Sequence, residues 1–133
     1  MFIDRLLSQG NTPLLEQVVE FSANRHRLII ENIANVDTPD YQQKDLSVEK
    51  FQGLLRERVD RRDRSSAGNV RFDDLQMDPT NPTQNILFHD RNNRSMESLA
   101  SDLSRNALMH NLAVELLRKQ FQQMEMALKE RVV

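Results

Sequence analysis

From Ser95 to about Arg131 the chain repeats a seam at three- and four-residue steps: Met96, Leu99, Leu103, Asn106, His110, Ala113, Leu117, Gln120, Met124 and Ala127. Beside it, Ala100, Ala107, Val114, Phe121 and Leu128 recur every seven residues. The two rows occupy a, d and e positions of a heptad repeat, which predicts one long helix with a coiled-coil-like face. No proline or glycine interrupts it, Ser95 is placed to cap its start, and Glu97 suits the first turn. Such a helix spans about 55 Å.

A second helix is predicted from Thr12 to Val36. Thr12 stands as its cap and Pro13 as its first position, where a missing N–H costs nothing. Leu15, Val18, Val19, Ser22, His26, Ile29 and Ile33 lie on one face, which Leu14, Phe21 and Leu28 widen. The Thr38–Pro39 step ends the helix, because the residue before proline avoids the helical region. This helix measures about 37 Å.

Between them, Asp40 to Asn93 shows no sustained period. Asp45–Arg58 reads as a short helix carrying Leu46, Phe51, Leu54 and Leu55, and Val70–Phe72 and Ile86–Phe88 read as short strands. Arg61–Asn69 and Met77–Thr83 have loop compositions. So polar a stretch is expected to be mobile in the lone chain and to order, in part, within an assembly. The fold class is therefore mainly α, with the N-terminal and long C-terminal helices pairing as a coiled-coil-like bundle around a polar, partly disordered middle. Residues 1–39, 40–94 and 95–133 form three regions.

The unequal lengths leave part of the longer helix uncovered. Leu108, Met109, Leu112 and Leu116 lie off its seam, so its middle is apolar on more than one side and requires cover on more than one side. Leu103, Leu117 and Phe121 are expected to face the N-terminal helix or an equivalent neighbour, and Leu108, Leu112 and Leu116 to face other subunits. Helix pairing and assembly thus fall to Leu15, Val18, Ile29, Ile33, Leu99, Leu103, Asn106, His110, Leu112, Leu116, Leu117 and Phe121. The polar seam members Asn106, His110 and Gln120 either sit tolerated at the seam's edge or fix register and partner number.

Composition agrees with helices and little else. Of 133 residues, 38% are hydrophobic, and three glycines, no tryptophan and one tyrosine are too few for a sandwich or barrel. A net charge of −2 gives no field favouring nucleic acid or anionic lipid. In the basic run Arg56–Arg64, Glu57, Asp60 and Asp63 are interleaved with the arginines and no aromatic is present for base stacking, so it reads as a solvated segment. Zero cysteines exclude disulfides, thiol catalysis and thiolate zinc sites. His26, His89 and His110 have no metal-ligand spacing, and no phosphate loop or tuned carboxylate pair is present. No catalytic residue, metal, cofactor or small-molecule substrate is expected. The N-terminus, Met1 to Gly10, lacks the basic start, apolar run and cleavage site of a secretory signal.

One string exceeds an ordinary helix stop. Ala34-Asn35-Val36-Asp37-Thr38-Pro39-Asp40-Tyr41 resembles the ANxxTPGY signature of bacterial flagellar rod, hook and hook-associated proteins, with Asp40 in the place of glycine. Aspartate is among the few residues that tolerate a left-handed turn. Asp90–Glu97 resembles the DGNNVDLE-type entry into that family's C-terminal helix, with Arg91 and Arg94 departing from it, and Asn106–Leu108 and Leu116–Phe121 resemble its last helix. Size and a short middle region make the small proximal rod proteins the most similar group. The resemblance implies a non-enzymatic subunit that polymerises through its terminal helices into the rod crossing the periplasm and transmits torque. It implies export through the flagellar type III apparatus without a cleaved signal. Its implied neighbours are further copies of itself, other rod proteins, the rod–ring adaptor and the export gate. A soluble coiled-coil regulator or chaperone would use the same heptads but has no need of the Thr38–Tyr41 turn. A nucleic-acid module using Arg56–Arg64 is the weakest alternative.

Overall fold

A computed structural model describes residues 10–65, 71, 75, 77–80 and 96–132, with side chains through 130. Within them the chain is mainly helical: α1 spans Thr12–Ala34, α2 Val48–Arg64 and α3 Met96–Val132. Extended pairing among the described residues is confined to Asp45 and Thr80, whose N–H groups each donate to the other's carbonyl at 2.9 Å. No helix among these residues is long and apolar enough to cross a membrane.

Each helix has a local reason to begin and end where it does. α1 starts one residue earlier than expected. Asn11 takes the cap position without a side-chain bond, and Thr12 is itself helical and buried, with Pro13 at the next position. Asn35 caps the far end: its N–H bonds the Glu31 carbonyl at 3.1 Å, and the next N–H, of Val36, bonds the Ile33 carbonyl at 3.3 Å. α2 is capped by Ser47, whose hydroxyl accepts from the Lys50 N–H at 3.2 Å. Glu49 in its first turn and Arg61, Arg62 and Arg64 in its last complement the helix dipole.

α1 and α3 pack as an antiparallel pair. Arg25 meets Asp102, Ser22 meets Asn106 and His110, and the first turn of α1 shares a cleft with Leu116 and Gln120, so one helix ascends as the other descends. Among the buried residues of the pair, Leu15, Ser22 and Ile29 on α1 and Leu99, Asn106 and Ala113 on α3 recur at seven-residue spacing. Beyond Gln123, its last residue on that cleft, α3 runs on for about 14 Å.

A second core lies on the other side of α1. Phe21 stacks on Phe51 with ring centroids 4.0 Å apart and planes 5° from parallel, and Leu28 and Leu46 complete the cluster. Met109 of α3, Met77 and Val18 pack against its edge. Phe21 and Leu28 therefore do not merely widen the α3-facing stripe but hold α2, and Val18 serves this cluster.

Three expectations change accordingly. The short helix predicted over Asp45–Arg58 begins at Val48 and continues through the arginine-rich stretch to Arg64, where Glu57 and Arg61 pair at 2.7 Å one turn apart. Leu46 and Phe51 of the middle region supply an apolar face that α1 accepts through Phe21 and Leu28. His26 is exposed and Ile33 only half-buried; the buried positions are Arg25 and Asn32, one residue earlier in each case, because both are satisfied by polar partners. Phe121, expected to face the N-terminal helix or an equivalent neighbour, is 42% exposed, on the side of α3 turned away from the cleft that Leu116, Gln120 and Gln123 line. The proposed strands at Val70–Phe72 and Ile86–Phe88, the Ser95 cap and the Asp90–Arg94 entry lie outside the described residues, apart from Arg71.

Candidate functional site

The string after α1 folds into successive tight turns. The Asn35 side chain donates back to Glu31 O at 2.8 Å, the Thr38 N–H bonds Asn35 O at 3.0 Å, and Thr38 Oγ1 donates to Asn35 Oδ1 at 3.2 Å. The next turn is closed by the Tyr41 N–H on Thr38 O at 3.3 Å, with Pro39 and Asp40 at its corner. Asp40 has φ 61°, the single non-glycine residue at positive φ among those described. Proline at the first corner position and a left-handed residue at the second is the type II pattern, which ordinarily selects glycine or asparagine there. The glycine of the resembled signature and the aspartate of this chain thus answer the same backbone demand. Asp40→Gly is expected to stabilise the chain by up to about 1 kcal/mol, and Asp40→Val to destabilise it, read as shifts of the urea midpoint.

Behind the turn sits Asn32, which is buried. Its Oδ1 accepts from Tyr41 Oη at 3.0 Å and from the Lys44 N–H at 3.2 Å, while its Nδ2 donates to Lys44 O at 2.8 Å. Three bonds from one amide fasten the outgoing chain to the last turn of α1. Burial, followed by the negative charge of Glu31, raises the Tyr41 pKa above its ordinary value. The folded state therefore favours the neutral phenol. Its stabilisation is full below the ordinary tyrosine value, about pH 10, and disappears as pH rises through the folded value. Tyr41 is the chain's one tyrosine, so tyrosinate absorbance reads this site alone. Its midpoint is expected above that of a free tyrosine, and Glu31→Gln is expected to lower it part-way back.

A few residues on, Asp45 joins three parts of the chain. Arg25 of α1 binds it through both nitrogens of its fork at 2.9 Å, Asp102 of α3 lies 3.7 Å from the same guanidinium, and the Asp45 backbone pairs with Thr80. Burial works to lower the Arg25 pKa, but the Asp45 bond and the charges of Asp45, Asp102 and Glu49 outweigh it, so the value is raised and the cation is firmly held. Neither Arg25 nor Asn32 was among the candidate site residues. The available signal was positional: both fall at helical spacing inside the α1 stripe and are flanked by apolar neighbours.

The other half of the site is the uncovered face of α3. Leu108 is 70% exposed, Leu112 62% and Leu116 44%, at one-turn spacing over about 12 Å. Their expected lack of cover within the chain is what the structure gives. At the Leu116 end the stripe reaches an open cleft of about 540 Å³ between the start of α1, the end of α2 and α3, with Leu14, Leu15 and Val59 as apolar walls and Arg62 and Lys119 as cations. Of the pairing residues, Leu15, Ile29, Leu99 and Asn106 are buried, and Leu103, His110 and Leu117 are half-buried. In the signature, Asn35 and Tyr41 are half-buried, whereas Ala34, Thr38, Pro39 and Asp40 are exposed. Among the described residues no group of three or more histidines, aspartates or glutamates is placed to hold a metal ion. Comparison with protein-family models and with curated proteins found no match.

Proposed function

We propose that this chain is a structural subunit of the bacterial flagellar basal-body rod, nearest in kind to the proximal rod protein FlgB. The observation that carries the reading is the Thr38–Tyr41 turn. It places a left-handed residue where the resembled signature has glycine, and Tyr41 ties the turn back to the helix that pairs with the heptad helix. The exposed Leu108, Leu112 and Leu116 stripe supports polymerisation, since an apolar face of this kind marks a contact surface for another molecule.

In this role the α1–α3 pair is the stiff element, and torque passes between subunits through the outward faces of the terminal helices. The neighbours are copies of this chain and other rod proteins, with the rod–ring adaptor and the export gate at the base. The subunit works in the periplasm after export through the type III apparatus without a cleaved signal. It performs no catalysis and uses no cofactor, nucleic acid or small-molecule substrate. A coiled-coil regulator binding a partner helix uses the same stripe but gives the turn no task. Deleting the gene in its host is expected to stop flagellum construction at the basal body, with rescue by the intact gene. Normal flagella and swimming in the deletion strain overturn the reading.

A further inference from the structure

The buried layer between α1 and α3 has the same grammar on both helices: apolar, polar, apolar at seven-residue spacing. Leu15, Ser22 and Ile29 on α1 and Leu99, Asn106 and Ala113 on α3 are all buried, and Ser22 meets Asn106 between the two antiparallel helices. At the centre, Asn106 Nδ2 donates to Ser22 O at 2.7 Å in a buried bond. One turn towards the start of α3, Asp102 meets Arg25; one turn the other way, His110 Nδ1 lies 2.8 Å from Ser22 Oγ, which itself donates to Val19 O. Three consecutive turns of α3 therefore present Asp, Asn and His to two residues of α1. Asn106 Oδ1 is buried without a hydrogen-bond partner among the described residues, so the residue is not placed there for stability alone.

We infer that the Asp102–Asn106–His110 ladder is a register lock, fixing where along α3 the first helix docks. The apolar layer cannot do this by itself. A heptad seam is nearly invariant to a seven-residue slide, and α3 is long enough to permit one. In that slide Asn106 loses the Ser22 carbonyl, and Leu99 or Ala113 is brought opposite it with no donor. A four-residue slide one way sets the Asp102 carboxylate against the same carbonyl, two acceptors with no proton between them. The opposite slide carries Asp102 away from Arg25. Each alternative register is penalised, and the observed one is selected by difference. The consequence is a fixed offset between the turn at Thr38–Tyr41 and the Leu108–Leu116 stripe. The inference concerns the lone chain and does not rest on the flagellar reading.

The chain has no cysteine, so a spin-label pair at Glu16→Cys and Ser101→Cys, both exposed and well separated along the helix axes, reports the register directly. With Asn106 present, pulsed dipolar spectroscopy of the full chain is expected to give one distance. In Asn106→Leu, which keeps a buried side chain while removing the donor, a second discrete distance is expected, displaced by several ångströms and by at most about 6 or about 10 Å, the axial slides of four or seven residues. A single unshifted distance in Asn106→Leu overturns the lock. A peak that merely broadens about the original distance also overturns it, since that reports general loosening. Should Asn106→Leu fail to fold, Asn106→Ala, which adds no volume, is read by the same label pair with the same two outcomes.

Discussion

Asp45→Ala is expected to destabilise the chain by about 3 kcal/mol, and Arg25→Met with Asp45→Leu to recover most of that loss. The single change leaves the Arg25 guanidinium, 8% exposed, without the carboxylate that binds both of its nitrogens at 2.9 Å. Asp102 at 3.7 Å keeps part of the compensation, which holds the effect near the low end for broken buried pairs. The double change removes the need for a partner altogether. Urea unfolding of the parent, Asp45→Ala, Arg25→Met, Asp45→Leu and the double variant measures this, and additivity of the Arg25→Met and Asp45→Leu losses in the double would show that the pair is not coupled. Asp45 also accepts from the Leu46 N–H at 2.8 Å, immediately before the stretch that carries Phe51 to Phe21. Its loss is therefore expected to expose α2 amides to hydrogen exchange before those of the α1–α3 pair.

This node was not legible in the sequence, and the reason is physical. Arg25 and Asn32 carry groups that normally face water, so a reading by hydropathy assigns their turns to His26 and Ile33 instead. The Tyr41 hydroxyl, the backbone of Lys44 and the carboxylate of Asp45, all brought in by the turn, together with Asp102 of α3, make those positions habitable. α3 was legible because nothing competes with its period over 37 residues, and its expected span of Ser95 to about Arg131 agrees with Met96–Val132. Where α3 and α1 meet was legible too, down to Leu15, Ile29, Leu99 and Asn106. α2 was only half visible. Its Ser47 cap and the Arg61, Arg62 and Arg64 of its last turn are helix signals, but the run Arg61–Asn69 resembles a loop when composition alone is weighed. The signature turn reads from sequence as a conformation, and Asp40 at φ 61° is that conformation. Its fastening by Asn32 depends on a contact nine residues apart.

Leu112→Asp separates folding from assembly more cleanly than any other change. Leu112 is 62% exposed in the lone chain, so a carboxylate there remains in water, and stability is expected to change by less than about 0.5 kcal/mol. Under the assembly reading the same position is covered by a neighbour, and an unpaired charge buried there carries a penalty of several kcal/mol, enough to block incorporation. Ile29→Ala is the converse. At 1% exposure its loss cuts the α1–α3 pair by about 2–5 kcal/mol and acts on the subunit itself. Leu117, half-buried, is a weaker probe of the same pair, expected near the bottom of that range. Circular dichroism of each purified variant, beside its ability to restore swimming to a deletion strain, keeps the two effects apart. Leu112→Asp is expected to melt as the parent does and fail to restore motility, whereas Ile29→Ala loses melting temperature. If Leu112→Asp folds and also swims, the Leu108–Leu116 face stays in solvent in the assembled structure, and the neighbour must dock elsewhere on the subunit.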